Sequence, residues 1–429
     1  MGQLLLAFHL SVGFLLIALT FLLACLLRIV NCIGGTPRKP RLVWGPTPII
    51  SIKYMSQAMR NAEYQSDTIV YDVYKINSVE DFDLHLDDFT PKILPQSARR
   101  IWKRLLGDYF VFLYALLKYD IFFYFFDGGF LTRTPYRCLE LQFLRIARKK
   151  SIVMPYGSDS FVYSRIRNLE LRHALLRCYP NLAKMEHKIS RQIDYFCRNA
   201  DFVMGCMVHV ECLPRWDMLP VLYYPIDTDK WSSNRKKNQA DGVNGEVIVA
   251  HTPNHKGFKG TEILIQACKE LVSEGLNVRL MLIENRPNKE VRLLLEQCDI
   301  LAEQFVVGYA LSAVEGMALG LPVLSNIEID VIHQLFRKHS YLDECPIVSV
   351  NYYTFKEKLR ELVISPGLRE ELGRQGRAYV EKHHSFGSNI KMWNEVIEKV
   401  WYDKDIDLMT YYDKSRSAIQ PVKYLSKDD

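Results

Sequence analysis

The chain opens on an almost unbroken apolar run, residues 4–27, interrupted only by His9, Ser11 and Thr20. A helix needs about 20 apolar residues to cross a bilayer core, and this run supplies them. No charged side chain precedes it, whereas Arg28, Arg38, Lys39 and Arg41 follow it. That asymmetry predicts a single-pass anchor over residues 1–33, with the N-terminus outside or lumenal and the bulk of the chain cytoplasmic. The alternatives are a signal peptide, or a helix buried in a partner. A signal peptide would want a basic start and a shorter apolar core. Leu6 stands where a myristoylated Met-Gly start would carry Ser or Thr.

The pattern changes after the short linker 34–40. Strand-like apolar runs now alternate with amphipathic helical runs, as in a parallel α/β sheet. Strands are expected at 42–44, 68–74, 121–126, 151–154 and 201–204, with helices at 53–60, 97–118, 138–148 and 181–197. Residues 109–126 are apolar enough to suggest a second span, but Lys118 and Asp120 interrupt them. A buried helix followed by a buried strand fits better. A polar stretch, 231–245, then interrupts the alternation. The second series has strands at 247–250, 278–283, 305–307 and 322–325. Its helices are expected at 261–273, 289–297, 312–319, 357–363, 368–384 and 389–401. The expected architecture is α/β: two doubly wound domains, 41–230 and 246–385, facing a cleft, with a closing helix and tail at 386–429.

Composition narrows the classes. A chain with 48% hydrophobic and 24% charged residues is globular. Lys+Arg 55 against Asp+Glu 49 gives +6, too mild to argue for nucleic acid as a partner. Ten cysteines without paired close spacing do not read as a disulfide scaffold or a zinc site. Asp81-Phe82-Asp83 and Asp405-Ile406-Asp407 read as loop acids, so no metal is expected.

Two segments carry chemistry. Between a buried strand and an amphipathic helix lies His251-Thr252-Pro253-Asn254-His255-Lys256-Gly257-Phe258-Lys259-Gly260-Thr261. Its glycines let backbone approach a ligand, its lysines attract an anion, and Thr261 can cap the helix. The segment describes a phosphate or pyrophosphate site; a basic surface turn is the plain alternative. The second segment, residues 308–323, is a glycine loop entering a short helix with one carboxylate, Glu315. A buried carboxylate needs a partner, and a sugar diol can donate to both of its oxygens. A glutamate favoured by the helix dipole is the alternative.

Lys259-Gly260, Glu315, Met317-Ala318 and Gly320-Leu321-Pro322-Val323 together resemble the donor domain of retaining GT-B-fold glycosyltransferases of the group 1, or family 4-like, kind. Tyr224-Pro225-Ile226-Asp227 resembles that family's interdomain segment, and Tyr156-Gly157-Ser158-Asp159 a loop of its first domain. The resemblance implies a UDP- or GDP-sugar donor used with retention, no required cofactor, and a membrane-associated acceptor that could be lipid-linked. By it, Asn254, His255, Lys256 and Lys259 hold the donor pyrophosphate, with Gly308, Tyr309, Leu311 and Ser312 beside it. Glu315 binds the ribose, and Glu284, Asn285 and Arg286 lie near the base. Lys259, Glu315 and Asp127 are the catalytic candidates. Gly45, Asp127, Gly128, Gly129, Gly157, Ser158 and Asp159 line the acceptor side. Two departures stand out. The family's first glutamate would fall at Val307, and Asp127 stands where its first domain carries a histidine. A non-catalytic subunit of a membrane glycan-synthesis complex is therefore the second reading. Arg99, Arg100, Lys103 and Arg104 share one helix face that suits an anionic leaflet.

Overall fold

The computed structural model describes residues 7–33, 39–74, 77–233, 238–306 and 308–418. The first residues of the apolar run, the linker 34–38, the basic stretch 234–237, Val307 and the tail from 419 lie outside them.

Six parallel strands form the first sheet: β1 (Leu42–Trp44), β2 (Ser66–Val70), β3 (Leu84–His85), β4 (Ile121–Phe125), β5 (Lys150–Met154) and β6 (Phe202–Val203). Their order is β3-β2-β1-β4-β5-β6. Five more form the second: β7 (Val247–His251), β8 (Val278–Leu282), β9 (Ile300–Gln304), β10 (Val323–Ser325) and β11 (Val348–Ser349). Their order is β11-β10-β9-β7-β8. Each sheet reverses direction once, between β1 and β4 and between β7 and β9. Doubly wound sheets bind ligands beyond the carboxyl ends of strands at such a reversal.

Alternate residues of the first sheet feed two cores. Phe122 and Tyr124 pack toward helices Asp108–Lys118 and Glu186–Asn199. Trp44, Ile121 and Phe123 pack toward helix Ile50–Asn61 and helix Phe386–Tyr402. Trp44 stacks on Phe123 at 3.7 Å, and both present to Trp393 edge-on, at 5.3 and 5.1 Å. The last long helix thus returns from the second sheet to close the first.

The N-terminal apolar helix, Phe14–Ile33 after a π-helical turn at His9–Gly13, is long and apolar enough to cross a membrane. It lies along the first domain. His9, Gly13, Ile17, Thr20 and Ala24, spaced by three or four, form its buried stripe. His9 Nδ1 meets Tyr109 Oη at 2.8 Å, and Tyr136 Oη donates to the His9 carbonyl at 3.0 Å. At the far end Asn31 Nδ2 donates to the Ala147 carbonyl at 3.0 Å. Leu10, Leu15, Leu19, Leu22 and Leu26 point outward without cover.

Three differences from expectation are physical. The strand expected at 305–307 is β9, which lies earlier. Its polar Glu303 and Gln304 hid it, yet all five of its residues are buried. The long helix 97–118 contains a π-helical turn, Lys103–Gly107, between two α-helical pieces. Of the four basic residues in its first two turns, Arg99 and Lys103 pair with Asp87, while Arg100 and Arg104 are exposed. Helices Leu169–Cys178 and Val331–His339 were not anticipated, although Leu171, Ala174 and Leu175 in the first, and Ile332, Leu335 and Phe336 in the second, recur at helical spacing; both helices are short.

The aromatic junction makes a prediction. Trp393 is fully buried. Trp393→Ala should destabilise the chain by about 3–5 kcal/mol, the usual cost of truncating a buried Trp. Denaturant unfolding measures it, and a loss below 1 kcal/mol would show that the last helix is not needed to close the first sheet.

Candidate functional site

At the first reversal, the loop after β1 meets the loop after β4. Gly45 passes so close to β2 that a Cβ there would lie 2.0 Å from the Ile69 carbonyl oxygen. That approach brings Thr47 to Asp127: Thr47 Oγ1 is 2.8 and 2.9 Å from the two carboxylate oxygens, which share its one O–H. Tyr156 Oη lies 3.4 Å from Asp127 Oδ2. Burial pushes the Asp127 carboxyl up to about 6, against the hydrogen bonds from Thr47 and Tyr156. Asp159 accepts the backbone N–H groups of Phe126, Tyr156 and Gly157, at 3.0, 3.1 and 2.9 Å. Burial, with the Asp127 charge added, pushes it to about 7. Gly128 and Gly129 are buried behind Asp127, and Gly157 and Ser158 are half-buried around Asp159.

At the second reversal the loop after β7 forms a single helical turn, Lys256–Lys259. The turn sends its two lysines in opposite directions. Lys256 is exposed and pairs with Glu284 at 3.0 Å, bringing together the ends of β7 and β8. Lys259 points inward and is 6% exposed. Its Nζ donates to Glu303 Oε1 at 2.9 Å and to Ser312 Oγ at 3.1 Å. Ser312 Oγ donates to the same Glu303 oxygen at 2.7 Å, and Ser325 Oγ lies 3.1 Å from the other. Glu303 is 0% exposed. An ammonium has three N–H donors, and these contacts use two.

Glu315 lies on the helix Leu311–Ala318 and is 5% exposed. Asn288 Nδ2 donates to its Oε1 at 2.7 Å, and Tyr54 of the first domain donates to Asn288 Oδ1 at 2.7 Å. Burial pushes the Glu315 carboxyl to about 7; the Asn288 hydrogen bond and the Lys259 charge oppose this. Asn254, His255, Asn285 and Arg286 are exposed at the rim. His255 packs edge-on against Tyr179 of the first domain at 4.9 Å. Gly308 is buried beside Met207 and Val208. Leu311 is half-buried. The Tyr309 ring lies in the second domain's core, its hydroxyl 3.0 Å from Tyr379 Oη and 3.1 Å from His384 Nε2. Thr261 does not cap its helix; its hydroxyl meets His251 Nε2 at 2.8 Å instead.

Sequence reasoning missed Glu303, Asn288 and Thr47. Glu303 was hidden by the misplaced strand. Asn288 and Thr47 belong to no periodic pattern, and only the fold brings them to Glu315 and Asp127. Asp81 and Asp83 are tied to Lys53 and Arg60, so they brace the first domain. Among the described residues no three His, Cys, Asp or Glu side chains gather as a metal site.

Solved structures share the fold. HepE of Anabaena, in complex with UDP-glucose, has a TM-score of 0.53 at 12% identity, covering 83% of this chain and 99% of its own. A TarM mutant of S. aureus, in complex with fondaparinux, alpha-GlcNAc-glycerol and UDP, gives 0.54 at 10% over 84% and 99%. A glycosyltransferase of Rickettsia africae gives 0.52 at 10% over 86% and 100%. No family model matches the chain, and no curated protein matches it in sequence. At such identities the likeness shows the fold, which is GT-B.

Two predictions follow from the buried charges. Lys259→Met strands the Glu303 carboxylate, so it should destabilise by about 3–5 kcal/mol. Lys259→Met with Glu303→Leu removes both charges and should regain most of that loss in denaturant unfolding. If the double variant is no more stable than the single, the pair is not the reason. For Glu315, the folded chain holds its proton up to about 7 and the unfolded chain releases it near 4.5. Folding therefore takes up a proton between those values, and stability falls as pH rises through them. Glu315→Gln abolishes this, so its stability relative to wild type should rise by about 1–3 kcal/mol from pH 5 to pH 8. A difference independent of pH would mean that Glu315 is ionised in the folded chain.

Proposed function

We propose that the chain is a glycosyltransferase that moves a sugar from a UDP- or GDP-sugar to a membrane-associated acceptor at the cytosolic face, with retention. The observation that carries it is the pairing of two unlike sites across one GT-B cleft. On one side are Lys259, Ser312 and Glu315, near the N-terminal end of the helix Leu311–Ala318. On the other is Asp127, held by Thr47. The structures of HepE and TarM hold UDP-glucose and UDP in this fold, which supports a nucleotide donor.

The chemistry asks little of covalent catalysis. Lys259 and the N–H groups of that helix end stabilise charge on the departing diphosphate. The third N–H of Lys259 is the one to offer a phosphate oxygen. Glu315 accepts from the ribose hydroxyls. Thr47 and Tyr156 orient Asp127, which accepts from a sugar or acceptor hydroxyl. With retention, the leaving phosphate assists the incoming hydroxyl from the same face, so no protein nucleophile is needed. The anchor reading and the cytosolic orientation rest on the apolar helix and the positive residues behind it. Glu303 also favours the second reading, a non-catalytic subunit, because it already neutralises Lys259.

The test is full-length chain in vesicles, given a panel of UDP- and GDP-sugars, with donor consumption and product anomer read by NMR. One donor should be turned over with its anomeric configuration kept. Lys259→Met with Glu303→Leu, and separately Asp127→Asn, should lower turnover by about 10²-fold or more while staying folded. Binding without turnover of any donor would select the second reading, and an inverted product would overturn retention.

A further inference from the structure

Outside the cleft, the first domain has a cavity of about 570 Å³ between helices Glu140–Ile146 and Glu186–Asn199. Its charged lining is Arg137, Lys188, Arg191 and Arg198 against Glu140 and Asp194. We propose that this cavity binds an anionic amphiphile, a phosphate-type head on an apolar chain.

The charge pattern argues for it first. Lys188, Arg191, Tyr195 and Arg198 are spaced by three, four and three, so they share one face of their helix. Like charges three apart on a helix are unfavourable unless something offsets them. Among the described residues none of the four cations has an ion-pair partner. The two acids do not serve them. Asp194 pairs with Arg165 at 3.3 Å. Glu140 lies under the floor, where it accepts from Tyr124 Oη at 2.6 Å and from the Phe130 and Leu131 N–H groups at 2.8 and 2.7 Å. A site with four unmatched cations at its rim and its only carboxylates engaged elsewhere suits an anion.

The floor and the surroundings argue for the chain. Leu141 and Phe196, both buried, lie beneath the cations with the Tyr195 ring beside them. Tyr136, next to Arg137, donates to the His9 carbonyl, so this end of the cavity adjoins the apolar N-terminal helix. A head group held by the arginines leaves its chain beside a surface that is itself apolar. A free phosphate would use the rim and leave the floor and the neighbouring helix without a role. The inference does not depend on sugar transfer. If the chain is a transferase, the cavity shares its Gly128-Gly129 wall with the loop that carries Asp127.

Cys138 lines the cavity and is exposed, so its alkylation reports occupancy. Full-length chain in phosphatidylcholine vesicles is treated with N-ethylmaleimide, and the Cys138 peptide is followed by mass spectrometry. The probes are dodecyl phosphate, dodecyl maltoside and inorganic phosphate. At about four times its Kd a bound probe leaves one site in five open, so dodecyl phosphate should slow the reaction about fivefold. Dodecyl maltoside and inorganic phosphate, at the same concentration, should slow it less than about twofold by the same relation. Arg191→Glu with Arg198→Glu, both exposed positions, should abolish protection while the circular dichroism spectrum stays unchanged. The variant experiences the same vesicle surface charge, so the comparison isolates the cavity. Equal protection by dodecyl maltoside would overturn the anionic requirement, and equal protection by inorganic phosphate would overturn the chain. Undiminished protection in the variant would overturn the site.

Discussion

The second domain is organised around a carboxylate that cannot reach water. Glu303 is fully buried on β9, in the middle of a parallel sheet covered on both faces. Leaving it alone there would be prohibitive, so the neighbouring chain is arranged to satisfy it. Lys259 is drawn inward from its helical turn, Ser312 from the start of the next helix, and Ser325 from β10. The Ser325 oxygen also lies 2.5 Å from the Gly308 carbonyl oxygen, so its single O–H is shared between Glu303 and the glycine turn and ties that turn into the same cluster. One buried charge therefore fixes the loops after β7 and β9 relative to β10. Those are the loops a ligand at this reversal would touch.

The same interaction explains what the sequence concealed. Regular apolar runs revealed β1, β4, β5 and β7, because each strand is buried on both faces and reads as continuous hydrophobicity. Lys259 and Glu315 stood out in the sequence by the glycine loops and helix starts around them, and the Gly-x-Pro-Val segment by its resemblance to a known donor domain. Glu303 was not legible, since an acidic residue inside a run normally argues for the surface. Its partner, Lys259, is 44 residues earlier in the chain. Nothing local to either residue signals the other. Asn288 is similar: its role rests on Tyr54 from one domain and Glu315 from the other, a contact that only the assembled fold creates.

The N-terminal helix shows the opposite case. Its apolar content was plain in the sequence, but its docking was not. The stripe against the domain includes polar and small members, His9, Gly13 and Thr20, with Ile17 and Ala24. A Cβ at Gly13 would lie 2.6 Å from Tyr109 Oη, so glycine there lets the helix approach. Leu10, Leu15, Leu19, Leu22 and Leu26 face away. A helix that crossed a bilayer unaccompanied would have no use for such a division. Here the polar and small stripe is matched by Tyr109, Tyr136 and the Ala147 carbonyl, and the leucine face is left uncovered.

These pieces meet in the turn after β4. Asp127 is held on the cleft side by Thr47, while the N–H groups of Phe130 and Leu131 are held on the other side by Glu140. The two glycines between have no spare room. A Cβ on Gly128 would be 1.8 Å from Thr132 Oγ1, and one on Gly129 would be 2.3 Å from the Glu140 carboxylate. A turn clamped from both sides and closely packed through its middle cannot relax one end independently of the other. The position of Asp127 is therefore set as much by the Glu140 side of the domain as by its own hydrogen bonds. That side also carries the basic cavity, and Tyr136 connects it to the apolar helix. The carboxylate facing the cleft and the uncovered leucine face of the N-terminal helix are linked through a few rigid residues, so a displacement on one side is carried to the other.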